Sequence, residues 1–125
     1  MREESKRWLD QGKADLKSAR HCLKSKDYYL CAFMSQQACE KALKALYLKE
    51  FKELRKIHDL TFFAKKMDFS QDLIAKCEFL TKAYIETRYA DVAGTSIPSE
   101  KISKKDAENF LKASSEVFLC IKKKL

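Results

Sequence analysis

From Asp27 to Phe51 the chain reads DYYLCAFMSQQACEKALKALYLKEF, without a single glycine or proline. Nothing in this stretch invites a turn, and its Ala, Leu, Lys, Glu and Gln lose little rotamer freedom in a helix. Asp27 stands where an N-cap would accept from the amides of the first turn. At roughly 100° per residue, Tyr28, Cys31, Ser35, Ala38, Ala42, Leu43 and Leu46 form one small-to-apolar stripe, which should face a core. Gln37, Glu40, Lys41 and Lys44 gather on another side, flanked by Phe33, Met34, Tyr47 and Leu48. A helix apolar on most sides is a central one, or one that meets a partner. The expectation is a rod with its own bundle on one side and a second chain or domain on the other.

The remaining sequence builds outward from that rod. Trp8, Gly12, Leu16, Ala19 and Leu23 recur at helical spacing, predicting a helix over about 3–24. The Ser25-Lys26 connection is short enough to make an antiparallel hairpin with the rod. Asp59 should cap a short helix over Leu60–Lys66, with Leu60, Phe63 and Ala64 inward. Ser70 should cap a fourth helix running to about Tyr89, burying Leu73, Ile74, Cys77, Leu80, Tyr84 and Arg88. Residues 90–102 hold both Gly94 and Pro98 and read as a long exposed loop. Ser103 with Asp106 has the spacing of a capping box. It opens a last helix with Ala107, Phe110, Leu111, Ser114, Val117, Phe118 and Ile121 inward.

Two glycines and one proline in 125 residues exclude a turn-rich β protein. The 35% charged and 46% hydrophobic content suits amphipathic helices instead. The fold class expected is all-α, an up-down bundle of four to five helices, with residues 1–125 forming a single domain. The longest apolar runs are too short to cross a bilayer, and MREESKRW has no hydrophobic signal core. A cytoplasmic protein is expected. The five cysteines are scattered without CxxC or histidine-rich spacing, so they read as reduced small hydrophobes rather than metal ligands. No metal and no cofactor are expected. The net charge of +8 favours an acidic partner or a polyanion, although lysine-rich helical surfaces are also ordinary solvated faces.

Three places carry polar groups in arrangements that chemistry could use. His58 precedes a helix cap, with Arg55 and Asp59 nearby. It either hydrogen-bonds the backbone at the helix start or contacts a phosphate beside the helix amides. Tyr84 and Arg88 share a face of the fourth helix. A semi-buried Arg88 needs a carboxylate, for which Glu40 is available, or a phosphate beside the 91–102 loop. The third place is the patch Gln37, Glu40, Lys41 and Lys44, where surface pairing is the simple explanation and the apolar ring around it points to an interface or cleft. His21 reads as a surface or boundary residue. There is no Gly-rich phosphate loop, paired-carboxylate metal motif or GxSxG elbow.

These residues carry a family resemblance. Trp8, Asp15-Leu16 and Ala19, then Tyr28, Ala32-Phe33, Gln36-Gln37-Ala38, Glu40-Lys41 and Lys44-Ala45, resemble the first two helices of HEPN domains. His58-Asp59-Leu60 is similar to the family's histidine–leucine step, and Tyr84 with Arg88-Tyr89 to its late tyrosine–arginine–tyrosine motif. The resemblance covers nearly the whole chain. It implies a four- or five-helix bundle, usually homodimeric, of the small prokaryotic type that binds nucleotides. Such chains often partner a minimal nucleotidyltransferase, many as toxin–antitoxin pairs in which the HEPN chain is a metal-independent ribonuclease.

Those ribonucleases use an Arg and a His separated by four to six residues. Here Arg55 stands only three positions before His58, and Ala90 replaces the proline common after the Arg-Tyr pair. The expected function is therefore a nucleotide- or nucleic-acid-binding module acting with a nucleotidyltransferase, without its own catalysis. The ligand contacts expected are Gln37, Lys41, Lys44, His58, Arg88 and Tyr89. Phe33, Met34, Tyr47 and Leu48 are the expected dimer or partner surface. Two alternatives stand beside it: a ribonuclease using His58 with Arg55 or Arg88, and a module that only docks a partner protein.

Overall fold

The structure, a computed structural model, describes residues 3–88 and 97–125. Its helices are α1 (Glu3–Lys24), α2 (Tyr28–Phe51), α3 (Leu60–Lys66), α4 (Gln71–Arg88), α5 (Pro98–Lys101) and α6 (Lys104–Lys124). No strand occurs among the described residues. The all-α expectation holds, with one short helix more than the sequence predicts. No helix there is long and apolar enough to cross a membrane.

Side-chain pairings set the directions of the helices. Trp8 meets Lys44 and Asp15 meets Lys41, so α1 runs antiparallel to α2. Cys31 reaches Ala107 and Cys39 reaches Ser114, so α6 runs parallel to α2. Phe79 stacks on Phe110 and Lys76 pairs with Glu116, so α4 runs back against α6. The four long helices thus alternate up and down, with α3 and α5 in the connections on either side of α4. α2 touches all five other helices.

Local chemistry explains most of the ends. Lys26 turns the chain with a positive φ of 64° between α1 and α2. Asp59 accepts from the Thr61 amide at 3.0 Å, and Ser70 accepts from the Leu73 amide at 3.2 Å. Ser103 and Asp106 form the reciprocal capping box at 3.0 and 3.1 Å. Asp27 holds the N-cap position of α2, but its side chain makes no cap bond. Gly12 lets α1 approach α2 closely: a Cβ there would lie 3.1 Å from both the Ala38 carbonyl oxygen and the Phe118 ring.

Several expected burials are corrected. Every residue of α2 from Ala42 to Leu48 is buried by this chain itself. The rod is therefore enclosed at its C-terminal half, and its far side there is not left for a second chain. Tyr47 and Leu48, expected on an outer surface, are each 3% exposed. Tyr47 instead packs among Phe51, Phe62 and Phe63. On α4, Arg88 is exposed and Ala83 takes the inner position. Most of the expected 90–102 loop, with Gly94, lies outside the described residues. Its end is not loop, because Pro98 opens α5 at a first-turn position that needs no amide donor, and Ile102 is buried.

All five cysteines are free thiols, and Cys31, Cys39 and Cys77 are buried. Burial pushes the Cys31 thiol up to about 11 and those of Cys39 and Cys77 to about 12.

Candidate functional site

Phe33, Gln37, Glu40 and Lys44 follow one another at spacings of four, three and four, which keeps them on one side of α2. α1 borders this strip with Trp8 and Asp15. The α2–α3 connection and the end of α4 border it opposite, with His58, Tyr84 and Arg88.

Glu40 is the hub. One carboxylate oxygen accepts from Gln36 Nε2 at 3.1 Å and from His58 Nδ1 at 2.9 Å, and the other accepts from Lys44 Nζ at 3.1 Å. Glu40 and Lys44 are only 3% and 6% exposed. A carboxylate so deep needs paired and hydrogen-bonded neighbours, and it has them. The expected surface pair is therefore a buried one. Lys44 also sits 5.3 Å from the centre of the Trp8 ring.

Lys41 pairs with Asp15, a buried acid on α1 that in turn accepts from Gln11 at 3.0 Å. The positive charges of Lys41 and Lys44, both expected to contact ligand, are thus committed inside the protein. Gln37 remains half-buried and donates to Gln36 at 2.7 Å.

His58 does not bond backbone at the helix start through its ring. A carboxylate only accepts, so the Glu40 contact places the hydrogen on Nδ1 and leaves Nε2 for other partners. The imidazole is half-exposed and stacks on Tyr84, with centroids 4.6 Å apart and planes 16° from parallel. Gln36 Nε2 braces the connection by reaching the His58 carbonyl at 3.4 Å.

Arg88 does not reach Glu40. Its guanidinium lies 5.0 Å from the Tyr84 ring centre and 5.6 Å from that of Phe33. No carboxylate pairs with it among the described residues. Tyr84 therefore brings together His58 and Arg88, which are far apart in sequence. Arg55 is elsewhere: it pairs with Glu53 at 3.1 Å and lies over Phe62 at 5.4 Å. Tyr89 lies outside the described residues. His21 is on the surface.

Two open clefts flank the strip. The first, about 300 Å³, is lined by Tyr29, Leu30, Phe33, Thr87 and Arg88. The second, about 320 Å³, is lined by Glu4, Arg7, Trp8, Gln11 and Leu54. Sequence reasoning missed the second cleft and the Asp15–Lys41 pair. An acid at position 15, on the stripe that carries Trp8 and Gly12, was the available signal. Arg7 beside Trp8 was another.

The profile of the HEPN domain family matches residues 5–125. None of the curated proteins matches the chain significantly. Among solved structures, TT1696 from Thermus thermophilus is 27% identical, with 99% of this chain and 100% of that one covered and a TM-score of 0.92. ST0689, described as an archaeal HEPN homologue, is 27% identical over 98% of both chains, with a TM-score of 0.80. The HEPN domain protein tm0613 from Thermotoga maritima shares the fold, with 23% identity, 94% and 95% coverage and a TM-score of 0.73.

Proposed function

Because this chain belongs to the HEPN domain family, we propose that it is a nucleotide- or nucleic-acid-binding module, homodimeric, which acts with a minimal nucleotidyltransferase and has no catalysis of its own. One observation carries the reading: His58 stacks on Tyr84, the Arg88 guanidinium lies 5.0 Å from the centre of the same ring, and no carboxylate neutralises Arg88 among the described residues. A guanidinium held against aromatic faces suits a phosphate oxygen, while the rings offer stacking area to a base. Gln37 borders the same place with an amide. Lys41 and Lys44 contribute through the walls, by holding Asp15 and Glu40, rather than as phosphate contacts.

Calorimetric titration with ATP, GTP and a short RNA at low salt tests the reading. Heat that disappears in Arg88→Gln supports it. No heat with any of the three at high protein concentration overturns it. Mixing with a separately encoded minimal nucleotidyltransferase should give a stable co-eluting complex, and separate elution would remove that partner from the proposal.

A second reading, a metal-independent ribonuclease, is favoured by the Glu40–His58 contact. Glu40 fixes the imidazole so that Nε2 is the basic nitrogen, as required of a base for a ribose 2′-hydroxyl, and the Tyr84 ring links it to the Arg88 cation. RNA cleavage in EDTA that vanishes in His58→Ala would establish it. Equal residual cleavage in the variant would identify a contaminant.

A further inference from the structure

The two clefts repeat one chemical theme. In the first, the Arg88 guanidinium lies over Phe33. In the second, Arg7 stands beside Trp8, whose ring also has the Lys44 ammonium 5.3 Å from its centre. Arg7 and Arg88 are each without a carboxylate partner among the described residues. The other cations near the strip, Lys41 and Lys44, are neutralised by Asp15 and Glu40. Glu4 lines the second cleft as well but forms no ion pair with Arg7, so among the described residues each end offers a guanidinium with an aromatic neighbour to a phosphate.

One side of α2 runs from one to the other. Phe33 belongs to the first cleft, Lys44 touches the Trp8 ring of the second, and both stand on the same side of α2. At 1.5 Å per residue they are separated by about 16 Å along the helix. Gln37 and the half-exposed His58 ring lie in the interval. A mononucleotide can fill one cleft but cannot reach both, whereas a flexible strand presents a base and a phosphate at each. A duplex keeps its bases stacked on one another and has none to lend to Phe33 or Trp8.

We infer that the two clefts are the end contacts of one binding track for a single-stranded oligonucleotide, with Arg7 and Trp8 forming a second subsite beyond the Tyr84–Arg88 one. This rests on the nucleic-acid-binding reading above and narrows its ligand class. Stacking and phosphate contact at each end make the strand's affinity the joint product of two subsites, so length should matter.

Trp8 is the only tryptophan in the chain, so its fluorescence reports on the second cleft alone. The experiment titrates the full chain at low salt, by calorimetry for affinity and with Trp8 fluorescence followed in parallel, with AMP, GMP, single-stranded RNA of increasing length, and a duplex of the same sequence. The expected result is quenching of Trp8 by the longer single strands. Affinity should rise by at least about tenfold over the mononucleotides, since two subsites act together. Arg7→Gln should weaken the long strand and leave AMP and GMP unaffected, while Arg88→Gln should weaken both. Both arginines are exposed, and matching circular dichroism melts will show that the variants fold. The inference is overturned if affinity does not grow with length, if Arg7→Gln leaves the long strand unaffected, or if the duplex binds as tightly. In those cases mononucleotide binding would keep the parent reading intact. Silence from every probe overturns both.

Discussion

The Nδ1 of His58 donates to the buried carboxylate of Glu40 at 2.9 Å, and that same carboxylate holds the Lys44 ammonium at 3.1 Å through its other oxygen. A half-exposed ring at the candidate site and an ion pair deep in the bundle therefore share one acid. Stability and site geometry cannot be altered independently there.

Glu40→Gln tests that coupling. It leaves the Lys44 charge buried without a counter-charge, which should destabilise the protein by about 3 kcal/mol. Adding Lys44→Met should recover most of the loss, because the double variant has no orphaned charge. Urea denaturation of wild type, both single variants and the double variant measures it. Equal instability in Glu40→Gln and the double variant would mean that the ion pair is not the cause.

Arg88→Gln should separate binding from folding. Its side chain is exposed, so stability should change by no more than about 0.5 kcal/mol. Nucleotide affinity should fall by about tenfold in that variant, with a shallower dependence on salt as one phosphate contact is lost. Titrations at two or more salt concentrations, paired with melting curves, read both quantities.

Gly12→Val should loosen the α1–α2 contact. The added side chain meets the Ala38 carbonyl oxygen and the Phe118 ring, which leave only 3.1 Å for the first carbon. Overpacking of this kind costs about 1–3 kcal/mol. A lower melting temperature with unchanged helical content at about 20 °C is the expected signature, and an unchanged melt would show that the helices separate freely.

Alkaline pH should destabilise the fold. The buried thiols of Cys39 and Cys77 are pushed up to about 12, above the ordinary value of 9.0 that an unfolded chain would approach. Protonated thiols are favoured by the folded state, so their contribution is intact below pH 9.0 and is lost as pH rises from there toward about 12. Unfolding free energy should fall across that window. Cys77→Ala should lower stability at neutral pH and flatten the alkaline slope, which urea titrations at a series of pH values would show.

Much of this arrangement was legible in the residues. Asp59, Ser70 and the Ser103–Asp106 box announced three helix starts because capping is local chemistry. The stripe through Cys31, Ser35, Ala38 and Leu46 announced the core. Tyr84 and Arg88 could be placed on one face for the same reason, and His58 could be singled out. The fate of Lys41 and Lys44 could not be read, because helical spacing says which residues are neighbours and not which side is covered by another helix. Asp15 neutralises one of them from α1, and Trp8 covers the other. The same blindness put Tyr47 and Leu48 on an outer surface, when every residue of α2 from Ala42 to Leu48 is buried. Asp27 carried the right side chain for a cap and stands at the right position, yet makes no such bond.

The parallel run of α6 beside α2 has a consequence for synthesis. Ser114 donates to the Ser35 carbonyl at 2.7 Å and meets the Cys39 thiol, contacts that join the middle of the rod to the final helix. α1 and α2 emerge from a ribosome long before that helix does, and a hairpin can form as soon as they are out. Until α6 arrives, the small-residue flank of the rod has no lid, and nascent chains are open to self-association or chaperone capture through it.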